Sequence, residues 1–188
     1  MEYDTRFELL KSLVTPNSVL CEIGVWKGQF AEQLLSLQPR HLILVDPFVG
    51  TVSSGDENGN NVVDAYLPLE YLILNQKYKY DPKVILFRGY SHELLPHFAK
   101  ESFDAIYIDG DHSYQGVKRD LALAKQLVKK GGYICGHDYE MNPKKTSNNY
   151  NFGVKQAVDE FCQQHNLKIC AKGMDGQVSY AIRLPASE

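Results

Sequence analysis

The stretch that most constrains this chain is Phe103–Tyr114, FDAIYIDGDHSY. Ala105–Ile108 is a short apolar run with two β-branched residues, Ile106 and Ile108, and reads as a buried strand. It runs directly into Asp109-Gly110-Asp111-His112. Two carboxylates and an imidazole therefore stand at the carboxyl end of a hydrophobic strand, with a glycine that lets the chain turn. In open α/β sheets the ligand crevice lies outside that end of the strands. A second apolar segment, Tyr133–Gly136, ends the same way in His137-Asp138. Two such ends side by side suit a metal ion or a proton-transfer pair.

The rest of the chain alternates. Residues 4–14 carry apolar side chains at helical spacing, and Thr15-Pro16-Asn17-Ser18 breaks that helix. Ser18–Ile23 is a buried strand, followed by Gly24-Val25-Trp26-Lys27-Gly28 and a helix over 29–37. His41–Val45 is a second strand, closed by Asp46-Pro47. Residues 48–61 are rich in Gly, Ser, Asn and Asp and read as a long polar loop, a kind that is usually functional. A tyrosine-rich helix over about 62–78 follows, with Pro68 as a break or kink. A third strand spans 84–87 and a short helix 93–99. After the central strand comes an amphipathic helix over 116–129, capped by Gly131-Gly132. The strand 133–136, a polar loop over 139–152, a helix over 153–164 and apolar strands over 167–171 and 178–184 complete the chain. Alternation of this kind predicts an α/β fold, a doubly wound, mostly parallel sheet with helices on both faces and one antiparallel strand near an edge.

Composition narrows the function classes. At 188 residues one domain is expected, and a net charge of −3 leaves no electrostatic footprint for nucleic acid. No apolar run is long enough to span a membrane, and the N-terminus MEYDTRFELLK is acidic and amphipathic rather than a signal peptide. Four cysteines without CxxC spacing, two of them inside strand runs, point to buried free thiols and a reducing, cytoplasmic setting.

Glycines after the first strand let the backbone turn tightly and approach a ligand, and Asp46, 22 residues after Gly24, stands where an acid can bind both ribose hydroxyls. A dinucleotide fingerprint would read GxGxxG; here Trp26 takes the place of the second glycine, so a nucleoside without a diphosphate fits better. The bland alternative is a βα turn whose glycines serve packing. Asp111 reads as a solvated loop residue or a helix N-cap, while His112 has the setting of an acid–base group. Asp138 could join Asp109 around a hard cation, with His137 suiting Mn, Fe or Zn better than Mg, or His137 could be a hydrogen-bonded residue at a strand end. His41, His92, His97 and His165 have no such setting.

These residues carry a resemblance. EIGVWKGQFAEQL (22–34), VDPF (45–48), the run YIDGDHSYQGVKRDLALAKQLVKKGGYICGHDY (107–139) and FGVKQAVDEF (152–161) resemble class I S-adenosylmethionine-dependent methyltransferases. More narrowly, they resemble the small O-methyltransferases that include macrocin and related sugar O-methyltransferases. The run 107–139 is the specific part. The resemblance implies a seven-stranded sheet in the order 3-2-1-4-5-7-6 with strand 7 antiparallel. It implies that Glu22, Gly24 and Gly28 line the methionine and ribose part of S-adenosylmethionine, that Asp46 holds the ribose and that Tyr90 and Ser91 flank the adenine. It places a divalent cation, Mg²⁺ or Mn²⁺, on Asp109, His137 and Asp138, and a general base at His112. Where metal-dependent relatives have two acidic or amide ligands, this chain has His137. The expected acceptor is a hydroxyl of a small molecule or glycan, a sugar before a catechol, and a homodimer is compatible. Two other classes stay open on the residues alone. One is a nicotinamide-dependent oxidoreductase, against which the missing second glycine counts. The other is a non-catalytic nucleotide-binding protein, which would not need Asp109, His112 and Asp138.

Overall fold

The computed structural model describes residues 1–55, 61–140, 153–174 and 176–186. In chain order the elements are β1 (Glu2–Tyr3), α1 (Arg6–Leu13), β2 (Val19–Ile23), α2 (Gln29–Ser36), β3 (His41–Asp46), β4 (Thr51–Gly55), β5 (Asn61–Tyr66) and α3 (Leu67–Tyr78). There follow β6 (Val84–Arg88), α4 (Ser91–Leu94) with a 3₁₀ turn (Leu95–His97), β7 (Phe103–Ile108), α5 (Tyr114–Leu127), β8 (Val128–Glu140), α6 (Val154–His165), β9 (Ile169–Gly173) and β10 (Val178–Arg183).

The main sheet has eight strands among the described residues, ordered β1-β9-β10-β8-β7-β2-β3-β6. Read from β6 to β9 this is the seven-strand order that the resemblance implies. It differs in one detail: two-residue β1 lies parallel beside β9 at the edge. β10 runs antiparallel to both β8 and β9. The central strands are apolar on both sides, as a parallel sheet covered by helices requires. Ile23, Val45, Ile106 and Ile134 pack into one cluster with Val117, Leu121 and Val158 of α5 and α6. Leu20, Leu42, Leu44 and Tyr107 pack into the other with Leu9, Phe30, Leu34 and Leu74 of α1, α2 and α3. Each such side chain contributes roughly 1.5–3 kcal/mol on burial.

The register decides where the site lies. Ile23 pairs with Val45 on one side and with Ile108 on the other, Ile108 pairs with Gly136, and Asp46 pairs with Arg88. Gly24, Asp46, Asp109 and His137 are thereby brought level at one edge of the sheet.

Several local expectations change. The polar stretch 48–61 is not simply a loop: Thr51–Gly55 and Asn61–Tyr66 pair antiparallel as a small second sheet, while residues 56–60 lie outside the described residues. The helix expected from 62 begins at Leu67, and Pro68 sits in its first turn, where a missing N–H costs nothing, so it neither breaks nor kinks the helix. The helix expected over 93–99 is α4 plus the 3₁₀ turn, over 91–97. α5 ends at Leu127, and Gly131-Gly132 belong to the irregular start of the 13-residue β8 rather than to a helix cap. The polar loop expected over 139–152 lies outside the described residues from 141 onward. Among the described residues no helix is long and apolar enough to cross a membrane. All four cysteines are free, and burial pushes the thiols of Cys21 and Cys135 up.

Candidate active site

A cavity of about 630 Å³ opens at the carboxyl ends of β2, β3, β6 and β7. Such a volume is ordinary for a site that encloses a small organic ligand. Of the residues expected from sequence, Glu22, Gly24, Asp46, Tyr90, Ser91, Asp109 and His112 stand on its wall. Gly28, His137 and Asp138 do not. Gly28 stands at the start of α2 in the left-handed region, where a Cβ would meet the Leu74 side chain.

Gly24 is the closest approach in the turn. Its φ is +87°, and a Cβ would stand 2.1 Å from the Asp109 carbonyl oxygen, so no other residue fits where β2 and β7 release their chains. Trp26 adopts a positive φ of 51° without glycine's freedom. The cost is met by Asp46: its Oδ2 accepts from the backbone N–H groups of Val25 (2.8 Å) and Trp26 (3.1 Å), and its Oδ1 accepts from that of Phe48 (2.6 Å). Asp46 thus builds the turn. A carboxylate offers about four lone-pair sites, so it retains capacity for a ligand.

Glu22 is 2% exposed, and its Oε2 has no hydrogen-bond partner among the described residues. Burial pushes its carboxyl well above the usual range, and the nearby charge of Asp109 adds to this. An orphaned acid beside the cavity fits a ligand that brings donors or positive charge, as the ribose hydroxyls or the cationic end of S-adenosylmethionine would.

Asp109, His112, His137 and Asp138 form one cluster. His112 Nε2 lies 3.3 Å from Asp109 Oδ1 and 3.2 Å from Asp138 Oδ2. His137 Nδ1 lies 3.3 Å from Asp138 Oδ1 and 3.8 Å from Asp109 Oδ1. Burial works against a charge on either ring. The carboxylates outweigh it, chiefly Asp109 bonded to His112 and Asp138 bonded to His137, so both imidazoles are held above their ordinary pKa. Asp138 is lowered: burial opposes its charge, and the two histidines more than compensate.

A distortion of β8 aims this pair. Val178 of β10 pairs with Glu140 and Tyr180 with Gly136, so β8 carries two extra residues over that interval. Asp138, inside it, has a φ of +57°. Bulges are a recurrent means of re-aiming side chains beside active sites. Oxygen and nitrogen donors of Asp109, His137 and Asp138 lie within 4.8 Å of one another, a donor set that fits a divalent cation. Asp111 also lines the cavity, and its Oδ1 accepts from the N–H of Ser113, which rather than Asp111 is the N-cap of α5.

Sequence reasoning missed several residues of the cavity wall, among them Arg6, Arg119, Asp120 and His92, the last of which it had set aside. Arg6 of α1 donates through Nη1 to Asp109 Oδ2 at 3.1 Å and lies over the Phe30 ring at 4.5 Å. Nothing in its spacing marked it. Asp120 is buried on α5, and there a signal existed: a carboxylate interrupting an apolar helical stripe.

The methyltransferase domain family matches residues 21–139, the span that holds the glycine turn, Asp46, Asp109 and the bulged pair. The chain belongs to that family. An uncharacterized protein of Acanthamoeba polyphaga mimivirus is 30% identical over 144 residues, covering 73% of this chain and 61% of that one, so the chain spans about three fifths of that relative's length. Among solved structures, a protein described as an rRNA methylase from Clostridium thermocellum superposes with a TM-score of 0.65 at 12% identity, covering 96% of this chain and 94% of its own. One described as a caffeoyl-CoA O-methyltransferase from Staphylococcus aureus gives 0.64 at 15% identity, covering 94% and 82%. Aeropyrum pernix fibrillarin, with natively bound S-adenosyl-L-methionine, gives 0.62 at 14% identity, covering 94% and 72%. At such identities the likeness is one of fold.

Proposed function

We propose that this methyltransferase takes S-adenosylmethionine as methyl donor and transfers the methyl group to a hydroxyl of a small molecule or glycan, a sugar in first place. The observation that carries this reading is the convergence of Asp109, His112 and Asp138 at the edge of a cavity that already holds an orphaned Glu22 carboxylate and the Asp46-built turn. The family match and the fold shared with a protein that binds S-adenosylmethionine support the donor.

Methyl transfer is an in-line displacement. The carbon–sulfur bond of the sulfonium breaks as the carbon–oxygen bond forms, and the acceptor hydroxyl loses its proton. The sulfonium is already activated, so alignment of the two partners is the protein's first task. An aliphatic hydroxyl also needs a base. His112, whose Nε2 is held between Asp109 and Asp138, is the group that takes the proton. Asp109, His137 and Asp138 would hold Mn²⁺ or Mg²⁺. When bound, such an ion would polarise neighbouring acceptor oxygens and lower the hydroxyl pKa.

A second reading is favoured by the same histidine. His112 already bridges the two carboxylates that a cation would use, so a cation-independent His–carboxylate base is the alternative within this site.

Calorimetry with S-adenosylhomocysteine and with NAD⁺, each with and without Mn²⁺ after chelation, tests the proposal. The expected result is binding of the thioether nucleoside and not of NAD⁺. A Mn²⁺ heat that disappears in Asp109→Ala and Asp138→Ala supports the cation; turnover unaffected by chelation selects the second reading. Binding of NAD⁺ alone overturns the methyltransferase chemistry. His112→Ala is expected to lose ~10²–10⁴-fold in turnover while S-adenosylhomocysteine affinity survives. Near-normal turnover would remove His112 from the base role.

A further inference from the structure

The helix α3 is apolar on two sides. Its inner stripe, Leu67, Tyr71, Leu74 and Tyr78, packs on the core. Leu67 reaches the cavity wall, and the Tyr71 ring lies 5.5 Å from that of Phe48, two residues beyond Asp46. A second stripe, Leu69, Leu72 and Ile73, stands on the outer side, and Tyr66 precedes it at the same spacing. Each of these four side chains is at least half exposed. Single exposed apolar residues are ordinary, but a contiguous stripe marks a surface that something covers. Spacing of i, i+3 and i+4 is that of a helix face made to pack, here on a helix whose other face is already packed.

The stripe has the size of a subunit contact. Four large apolar side chains, half exposed, present on the order of 450 Å². A standard interface takes about 800 Å² from each partner, of which about 56–65% is apolar. The stripe supplies that apolar share, and exposed Asn75 and Gln76 supply a polar rim. The charges say which partner fits. Glu70 stands three residues before Ile73 and Lys77 four residues after it, so both flank the stripe on one side. Two copies of α3 laid antiparallel about a two-fold axis bring that flank against itself with its ends reversed. Glu70 then faces Lys77 of the partner subunit, and the pair occurs twice. A parallel arrangement would set that flank against the opposite one, where Asn75 stands. Lys77 already lies against Glu32 of α2, but its ammonium group has three N–H donors and takes a second carboxylate.

We infer that α3 is the contact of a homodimer. Two copies pack Tyr66, Leu69, Leu72 and Ile73 face to face and antiparallel, with Leu72 and Ile73 at the two-fold axis and Glu70 paired with Lys77 of the partner subunit. The contact is isologous, so it closes at two copies. It braces from outside the helix whose inner face backs the Asp46 turn, and it needs no ligand in the cavity.

Sedimentation velocity over a dilution series tests this on the intact chain. The wild-type protein should sediment at twice the mass of the chain and dissociate on dilution. Leu72→Glu should weaken the dimer roughly thirtyfold or more, since the change is made twice in one interface. Its melting temperature should stay near that of the wild type at concentrations where both are monomeric, because Leu72 is exposed. Glu70→Lys and Lys77→Glu should each weaken self-association by roughly twofold to thirtyfold. An equimolar mixture of those two variants should recover wild-type association, because every opposed pair in the mixed dimer is again of unlike charge. If Lys77→Glu, which also faces Glu32, does not fold, Leu72→Glu and Glu70→Lys still decide. A wild-type protein that stays monomeric up to about 100 μM overturns the inference and leaves the stripe to a different protein. Leu72→Glu that dimerises as the wild type does also overturns it, by placing the contact elsewhere. A folded Glu70→Lys with wild-type association, or a mixture that gains nothing over either variant, overturns the antiparallel pairing on which the proposal stands.

Discussion

At the scale of single residues, the site trades stability for binding, and Glu22 shows it most plainly. Its side chain is buried, one oxygen is orphaned, and burial first and the Asp109 charge second raise its pKa. The folded protein therefore holds this proton more tightly than the unfolded chain does. Stability from this group is present at low pH and is lost as pH rises through the elevated value. Glu22→Gln keeps the shape and removes the charge. Its ligand-free melting temperature should exceed that of the wild type at about pH 8 and converge with it towards about pH 5, while S-adenosylhomocysteine affinity falls. Melts that stay parallel across that range would show that Glu22 is not the strained group. Asp46, Asp109 and His112 were legible because each follows an apolar run at its carboxyl end, whereas Glu22, inside β2, was legible through the family resemblance. Arg6 was not legible, because its reach to Asp109 depends on how α1 is laid across the sheet, which no local pattern encodes.

At the scale of elements, the chemistry depends on how helix starts meet strand ends. Gly153, just before α6, donates its N–H to the His112 carbonyl at 2.9 Å. A Cβ on it would stand 2.2 Å from the Tyr114 backbone nitrogen at the start of α5. The two helix starts touch backbone to backbone, and the contact fixes the segment that carries His112. Gly153→Ala must push α6 away. It should cost ~1–3 kcal/mol, read as a fall of roughly 2–12 °C in melting temperature. Turnover should fall further than S-adenosylhomocysteine affinity, because the base moves and the cofactor cavity does not. Equal losses in both would place the effect in general packing. Elements were legible where periodicity was strong: β2, β3, β7 and the amphipathic faces of α2, α5 and α6. β4 was read as loop because Ser, Gly and Asn dominate its composition, and β5 as the start of the following helix, although Thr51-Val52 and Val62-Val63 on either side of a Gly/Asn-rich centre are a hairpin signal. The bulge in β8 was invisible for a different reason: it exists only relative to β10, a partner some forty residues on.

At the scale of the whole molecule, the cavity lies at the carboxyl ends of β2, β3, β6 and β7, with His137 and Asp138 of β8 beside Asp109, while β9 and β10 form the far side of the sheet. The helix α1 packs on both regions: it contacts β9, and through Arg6 it reaches Asp109. A bound cofactor should therefore tighten four βα connections and the N-terminal helix together. At a ligand concentration about 100 times the Kd, binding to the native state alone adds about 2.7 kcal/mol. For a chain of this size that is a rise of roughly 5–11 °C in melting temperature. Hydrogen exchange tells a local grip from a global one. S-adenosylhomocysteine should slow exchange over residues 24–30, 46–50, 88–94 and 109–116 and over α1, and leave β9 and β10 nearly unchanged. Protection confined to 24–30 and 46–50, with none beyond β6, would mean that the ligand meets the glycine turn but not the wall built by Ser91 and Asp120. Protection at β9 without protection of α1 would mean that Arg6 does not link the N-terminal helix to the site.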